Sequence, residues 1–325
     1  MNLYRIFKGL DQVVKDVPKL KKSVQTLTSQ NKSIQAKLTR LTKPSNSDFQ
    51  SKWPHGDFVI PAPLGSTKSS ICKQADFLND HHRYWCSVIK EEPVFHRKQW
   101  EFVYILESLK QRGMIAEGKR GLGFAVGTEP LPAAFASFGC EIVATDINPD
   151  EGTEKGWTPG NQLCFGLQDL NKRGVCPADK FNELCSYRPV DMNAIPDDLR
   201  DFDFNWSSCS FEHLGSIERG LAFVRNQLKT LKSGGWAVHT TEYNLSSNDE
   251  TLEDPNCVAF RQQDIEKVVA QLRADGHFVE PLDYSTGWLP YDYKVDTPPY
   301  SLNPHLRLQL SKFICTSIGL IIRKK

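Results

Sequence analysis

Apolar residues in the first 42 positions recur at alternating spacings of three and four: Leu3, Ile6, Leu10, Val13, Val17, Leu20, Val24, Leu27, Ile34, Leu38 and Leu41, with Asn31 in the same register. This is the a/d seam of a coiled coil. Pro18 lacks an N–H and clashes one turn back, so the cleaner coil is predicted over residues 19–42. Val at two a positions, Leu at most d positions and Asn31 at an a position favour a parallel dimer. A trimer is the alternative, because the e and g positions carry few charges to fix the choice. Two other readings compete: an amphipathic helix folded back on its own domain, and a membrane-surface helix, since residues 17–47 hold seven basic residues and no acid.

Beyond the coil the periodicity changes. Residues 43–70 are rich in Pro, Ser and Gly and read as a linker. A helical cap is predicted over 71–118, its main helix "HRKQWEFVYILESLKQRG" carrying an apolar stripe of Val103, Ile105, Leu106 and Leu109. From 119 to 325, strand patterns (120–126, 141–145, 202–207, 235–240, 277–282 and 313–322) alternate with helix patterns near 131–138, 217–232 and 262–275. Alternation of this kind predicts an α/β domain: a Rossmann-like, doubly wound, mostly parallel sheet covered on both faces.

Charge narrows the partners. The net charge of +1 conceals a positive N-terminus: ten Lys/Arg against three Asp in residues 1–48, and thirty Lys/Arg against thirty-six Asp/Glu in the rest. An acidic body argues against nucleic acid, which requires clustered basic charge. The nine cysteines fall into no zinc spacing and suit a reducing compartment better than a disulfide framework. The first residues carry no apolar signal region and no stretch is long enough to span a bilayer. A cytoplasmic protein is expected, with the coil's basic face offering weak contact with the inner membrane surface.

The chemistry gathers at the strand ends. "RGLGFAVGTEPLP" is a strand, a loose glycine turn and a helix start, without the G-x-G-x-x-G of a dinucleotide loop. "EIVATD" ends in Asp146, where an acid can reach ribose hydroxyls, and "PVDMNAIP" places Asp191 where an acid can meet an exocyclic adenine amine. "FDFNWSSCSFEH" is a fourth strand running into a helix, and "SGG" turns into a fifth. In this order the motifs resemble the class I S-adenosylmethionine-dependent methyltransferases over about residues 115–325. The resemblance implies S-adenosylmethionine as cofactor, with Gly123, Ala125, Gly127 and Glu129 at the places of that family's acid-x-G-x-G-x-G loop. It also implies Asp146 on ribose, Asp191 on adenine and Ser208 at the end of strand four. A nicotinamide-dependent doubly wound protein and a scaffold that has lost catalysis are the alternatives.

Methylating a hydroxyl needs a proton acceptor near neutral pKa. Glu212 and His213 are placed after strand four, and His239 and Glu242 after strand five, so these four are the catalytic candidates, with histidine the natural base. "FEHL" resembles the Glu-His of quinone-biosynthesis O-methyltransferases, whose metal-holding glutamate three residues earlier is Cys209 here, so no metal is expected. "TPPY" at 297–300 reads as a substrate-lid turn rather than a nucleobase-methylation motif, being far downstream of strand four. The long 149–188 connection, with Trp157, and the Tyr- and His305-bearing segment 290–308 offer aromatics with amides and acids, which suit a carbohydrate. The body resembles bacterial methyltransferases of surface-polysaccharide assembly. A carbohydrate or glycolipid acceptor is therefore expected, together with self-association through residues 19–42.

Overall fold

A computed structural model of the chain describes residues 66–148 and 163–325, with Gly152 and six positions between 18 and 26. The chain divides into two units, Met1–Phe58 and Val59–Lys325. The predicted coil and residues 43–65 of the predicted linker lie outside the described residues, apart from helical backbone at 18–19, 21–23 and 26.

The second unit opens with two helices. α1 (Asp80–Val88) starts at Asn79, whose side chain accepts the His82 N–H, and α2 (Arg97–Gln111) starts at His96, whose ring accepts the Lys98 N–H. Each cap satisfies a donor that the first helical turn leaves unpaired. There follow β1 (Arg120–Phe124), α3 (Leu131–Ser137), β2 (Glu141–Asp146), α4 (Ala178–Leu184), β3 (Cys185–Pro189), β4 (Phe202–Ser208), α5 (Ile217–Asn226), β5 (Leu231–Asn244), α6 (Gln262–Ala274), β6 (Phe278–Val279), β7 (Val295–Asp296), β8 (Arg307–Leu310) and β9 (Phe313–Arg323).

The main sheet runs β7-β8-β9-β5-β4-β1-β2-β3, with β6 paired to the far end of β9. From β5 to β3 every pairing is parallel, and β9 lies antiparallel to β5. Parallel strands need crossovers, and these are α3 between β1 and β2, α4 between β2 and β3, and α5 between β4 and β5. One face carries a core of α1, α2 and α3 residues against Phe204, Trp206, Val238 and Ile321. The other packs α5 and α6 against Leu122, Phe124, Ala237 and Leu320. The doubly wound expectation is met.

Several boundaries differ from the sequence reading. The predicted linker ends too late: Ser69–Ser70 pair with Leu282–Asp283, and the Cys72 N–H donates to the Ser317 carbonyl. The predicted cap is no separate layer. Residues Gln99–Leu109 of α2 are all buried, because the helix is clamped between α1 and the sheet, and Gly319 admits the Tyr104 ring where a Cβ would come within 2.1 Å of it. The predicted strand 277–282 is broken between Val279 and Leu282, with Pro281, which has no N–H for a ladder, at the break. β5 extends well beyond 235–240 at both ends, with a register shift opposite Phe202 and Phe204. In the 149–188 connection, α4 packs on α3, so part of it is an ordinary crossover. All nine cysteines are free thiols. No described helix is long and apolar enough to cross a membrane.

Candidate active site

The chain doubles back between β3 and β4, so the switch point of the sheet lies between the carboxyl ends of β1 and β4, where open α/β sheets bind ligands. The loop after β1 is shaped by left-handed backbone at Ala125 (φ 48°) and Gly127 (φ 49°). Ala125 takes a conformation that costs a non-glycine residue free energy, and such strain persists only where the surroundings hold it. Gly123 is not part of this loop. It lies within β1, and a Cβ there would meet the Trp206 ring at 2.5 Å, so its glycine is required by packing.

Asp146 ends β2 as predicted. Its carboxylate accepts the backbone N–H groups of Gly127 (3.0 Å), Ile147 (2.8 Å) and Cys164 (3.2 Å), tying the β1 loop to the segment before α4. Burial pushes its carboxyl up to about 6, against the opposing pull of those N–H groups. Glu129 accepts the indole N–H of Trp206 at 2.7 Å, and burial pushes its carboxyl up to about 8. With Thr128, Pro130, Asp169, Leu170, Lys172, Arg173 and Val175 it lines a cleft of about 160 Å³. Asp191 follows β3 but is exposed, and its side chain is bonded to the Asn193 N–H and amide in a local turn.

Across the carboxyl ends of β4 and β5 and the amino end of β9 lies a buried ion cluster. The Arg97 guanidinium pairs with Glu242 and with Glu101 (3.3 Å), and reaches Cys209 Sγ (3.3 Å) and Ser317 Oγ (3.1 Å). Lys98 binds the second oxygen of Glu101 at 2.8 Å, and the Ser208 and Ser317 hydroxyls donate to the same carboxylate. Burial alone would raise Glu101, but Lys98 and Arg97 outweigh it and hold it below the usual carboxylate range. Glu242 is pushed up to about 7 by burial, with Arg97 opposing. Glu212 accepts the Thr241 hydroxyl at 2.9 Å. Glu212 Oε1 and Glu242 Oε2 are buried with no hydrogen-bond partner. Cys209 Sγ and oxygens of Glu212 and Glu242 lie within 4.8 Å of one another. A deprotonated Cys209 and two carboxylates could hold a borderline cation such as Zn²⁺, but burial keeps the Cys209 thiol well above its ordinary value and the Arg97 guanidinium already reaches Glu242 and Cys209.

The two histidines proposed as bases fare differently from that cluster. His239 lies inside strand five, within the predicted window 235–240, and the strand's extension takes in Glu242 as well. Side chains alternate along a strand, so His239 and Glu242 point to opposite faces. His239 is fully buried, its Nδ1 is 2.8 Å from Ser207 Oγ, and the Phe211 and Phe223 rings stand edge-on to it. Burial pushes its pKa down to about 3. It is a core residue. His213 is half-buried on the turn after β4, with Nδ1 2.6 Å from the Asn256 carbonyl and Nε2 3.9 Å from Glu212.

Sequence reasoning missed Arg97, Lys98 and Glu101. Their signal was present: three charged residues at the start of a helix whose later turns are apolar. It also missed Asp296, which binds His305 Nδ1 at 2.7 Å, and the exposed Trp288.

No known family profile matches the chain. The 3-oxoacyl-(acyl-carrier-protein) reductase FabG of Chlamydia trachomatis is 28% identical over 137 residues, 39% of this chain and 53% of the reductase. The chain thus spans about half the length of that curated relative. Among solved structures, magnesium protoporphyrin IX methyltransferase of Synechocystis, with bound S-adenosylhomocysteine, overlaps with a TM-score of 0.43 at 9% identity, over 77% of this chain and 97% of that one. An S-adenosylmethionine-dependent methyltransferase of Mesorhizobium loti gives 0.41 at 13% identity, over 67% and 97%. Overlaps this slight assign neither a reaction nor a substrate to this chain.

Proposed function

We propose that the chain is an S-adenosylmethionine-dependent O-methyltransferase whose acceptor is a hydroxyl of a carbohydrate, in a surface polysaccharide, a glycolipid or a sugar nucleotide. The observation that carries this reading is the pair of buried carboxyls at the switch point. Glu129 and Asp146 both lie buried there, and the loop lacks the glycine spacing of a phosphate cradle. Ionised Asp146 repels a pyrophosphate, whereas a cofactor that carries a sulfonium and an ammonium favours the ionised form of both carboxyls, Glu129 releasing its proton as the cation binds. Asp146 is the ribose ligand in this reading, Asp191 the adenine ligand, and Ala125, Gly127 and Ser208 line the cofactor. Gly123 contributes by letting Trp206 pack close to β1. Arg97, Glu242 and Glu212 form the polar floor on which the acceptor rests. Trp288 and Tyr293, 78% and 71% exposed, provide aromatic faces of the kind that stack on sugar rings.

The likeness to FabG favours a second reading, a nicotinamide-dependent reductase. Against it stand Glu129 near the place of the third loop glycine, and the antiparallel β9 beside β5 where the dinucleotide fold continues in parallel. Tritium-labelled S-adenosylmethionine decides between them. Incubation with a mixture of sugar nucleotides and a lipid-linked saccharide extract is expected to label one of the two fractions. Absence of label in both, with hydride transfer from a reduced nicotinamide to a keto substrate, would establish the reductase instead, and binding of the labelled cofactor without transfer would establish the scaffold.

We further propose that residues 19–42 hold the chain in a parallel dimer or trimer, and that their basic face draws it weakly to anionic membrane surfaces. Light scattering is expected to give a higher oligomer for the full chain than for one lacking residues 1–48. A monomeric full chain at micromolar concentration would end this reading.

A further inference from the structure

We propose that His305, oriented by Asp296, is the base that takes the proton from the acceptor hydroxyl during methyl transfer, an assignment that rests on the methyltransferase reading above. The geometry separates this histidine from the other candidates. Its Nδ1 lies 2.7 Å from Asp296 Oδ2, and the same carboxylate accepts the Ser301 N–H, the Ser301 hydroxyl at 3.0 Å and the Leu302 N–H at 3.2 Å. A carboxylate with that many donors stays ionised. Burial would raise it, but the bonds from His305 and Ser301 hold it below the usual range. An ionised Asp296 can only accept, so the proton of neutral His305 sits on Nδ1 and the lone pair is left on Nε2, which no described residue engages. Asp296 thus fixes the tautomer that a base requires, as a positioning residue.

The backbone fixes where this pair stands. The His305 N–H donates to the Phe95 carbonyl at 2.7 Å, and the Arg97 N–H donates to the His305 carbonyl at 3.0 Å. The imidazole is stacked on His96, with ring centroids 4.7 Å apart. It therefore sits at the start of α2, bonded to the residue whose guanidinium reaches Glu242 and Cys209. The groups facing it are Asp296 and the edge-on Tyr300 ring at 5.3 Å from its own segment, Arg97 from α2 and His96 from the cap of α2. His96 is pushed down to about 4 by burial, with His305 and Arg97 adding to it, so it is neutral and does not compete for the proton. Burial also lowers His305 itself, against the pull of Asp296, which keeps it unprotonated at neutral pH. The exposed Trp288, Tyr293 and Leu302 belong to the same stretch of chain, so acceptor binding and proton removal fall to one segment.

The step balances. The acceptor O–H bond breaks and its proton goes to Nε2. The freed oxygen pair forms the C–O bond, and the methyl–sulfur bond breaks with its electrons remaining on sulfur, giving neutral S-adenosylhomocysteine. The imidazolium then returns its proton to water.

The test uses the full chain, tritium-labelled S-adenosylmethionine, and as acceptors UDP-glucose, UDP-galactose, UDP-N-acetylglucosamine and GDP-mannose beside a lipid-linked saccharide extract, from pH 5 to 9. His305→Gln is expected to lower kcat about 100-fold or more while the Kd for S-adenosylmethionine is kept, and added imidazole to restore part of the activity of His305→Ala. Asp296→Asn is expected to lower kcat and move the acid limb of its pH profile to lower pH. Activity of His305→Gln within about threefold of the intact chain across this range overturns the assignment, since loss on the order of a hundredfold is what a missing base costs. Should His305→Gln fail to fold, the profile of Asp296→Asn decides: an acid limb that does not move overturns it. An intact chain that labels neither fraction is a failure of the methyltransferase reading, and the assignment falls with it.

Discussion

Replacing Arg97 with methionine is expected to lower the free energy of unfolding by about 3–5 kcal/mol, the usual cost of leaving a buried charge without its partner. Arg97 is the counter-ion to two carboxylates, with side chains only 13% exposed for Arg97, 0% for Glu101 and 5% for Glu242. In the variant, Lys98 still neutralises Glu101, but Glu242 faces Glu212 across the cluster with no cation between them. Glu242, already pushed up to about 7, can then take up a proton. The loss is therefore expected to be larger at pH 8 than at pH 5.5, since protonation relieves it at the lower pH. Removing both partners, Arg97→Met with Glu242→Leu, is expected to recover most of the loss, because an apolar pair of similar volume carries no desolvation cost. Urea unfolding at the two pH values checks this. A single variant within about 1 kcal/mol of the parent would place the cluster in the class of solvated surface pairs.

The architecture was legible because strands and helices announce themselves by period. Buried parallel strands read as short apolar runs, and the sequence windows for β1, β2, β4 and β9 fall within two residues of the observed ends. What periodicity does not carry is where a strand stops when its last residues are polar. β5 ends "HTTEYN", which reads as a strand followed by a loop, yet hydrogen bonding to β9 continues from Trp236 to Asn244. Once the strand is extended, alternation alone sends His239 into the core and Glu242 to the face that meets α2. His239 already falls within the predicted window 235–240, so the error there was one of facing, and for Glu242 it was one of strand length. The ion cluster was illegible for another reason. Arg97 and Glu101 are one helical turn apart, but Glu242 and Ser317 reach them from more than a hundred residues away. The His305–Asp296 pair lay in plain sight at a spacing of nine residues, but only the loop that folds back between them makes it a pair.

Glu129→Gln is expected to make the protein more stable than its parent at alkaline pH and equal to it in acid. The carboxyl is buried against Trp206, and burial raises it from an ordinary value of 4.5 to about 8 in the folded chain. At a pH below 4.5 both folded and unfolded chains hold the proton, and the group contributes nothing to the pH dependence. Between 4.5 and about 8 the folded chain holds a proton that the unfolded chain has released, so stability falls as pH rises. Above about 8 both states have lost it, and the charged form has to be buried. The full loss is on the order of 4–5 kcal/mol, from a shift of that size at about 1.4 kcal/mol per unit. Glutamine keeps an oxygen to accept the indole N–H of Trp206 and has no proton to lose. Its stability curve is still expected to decline somewhat, through Asp146 at about 6 and Glu242 at about 7, and those declines are common to both proteins. The difference between the two curves therefore isolates Glu129. Urea unfolding at pH 4.5, 6.5 and 8.5 is expected to show that difference opening steadily in favour of the variant. A gap that stays constant over the three values would mean that the carboxyl is already ionised in the folded chain and reaches water. The acidic wall assigned to the switch point would then be a solvated one, and its pull on a cationic cofactor would be weakened by the surrounding water.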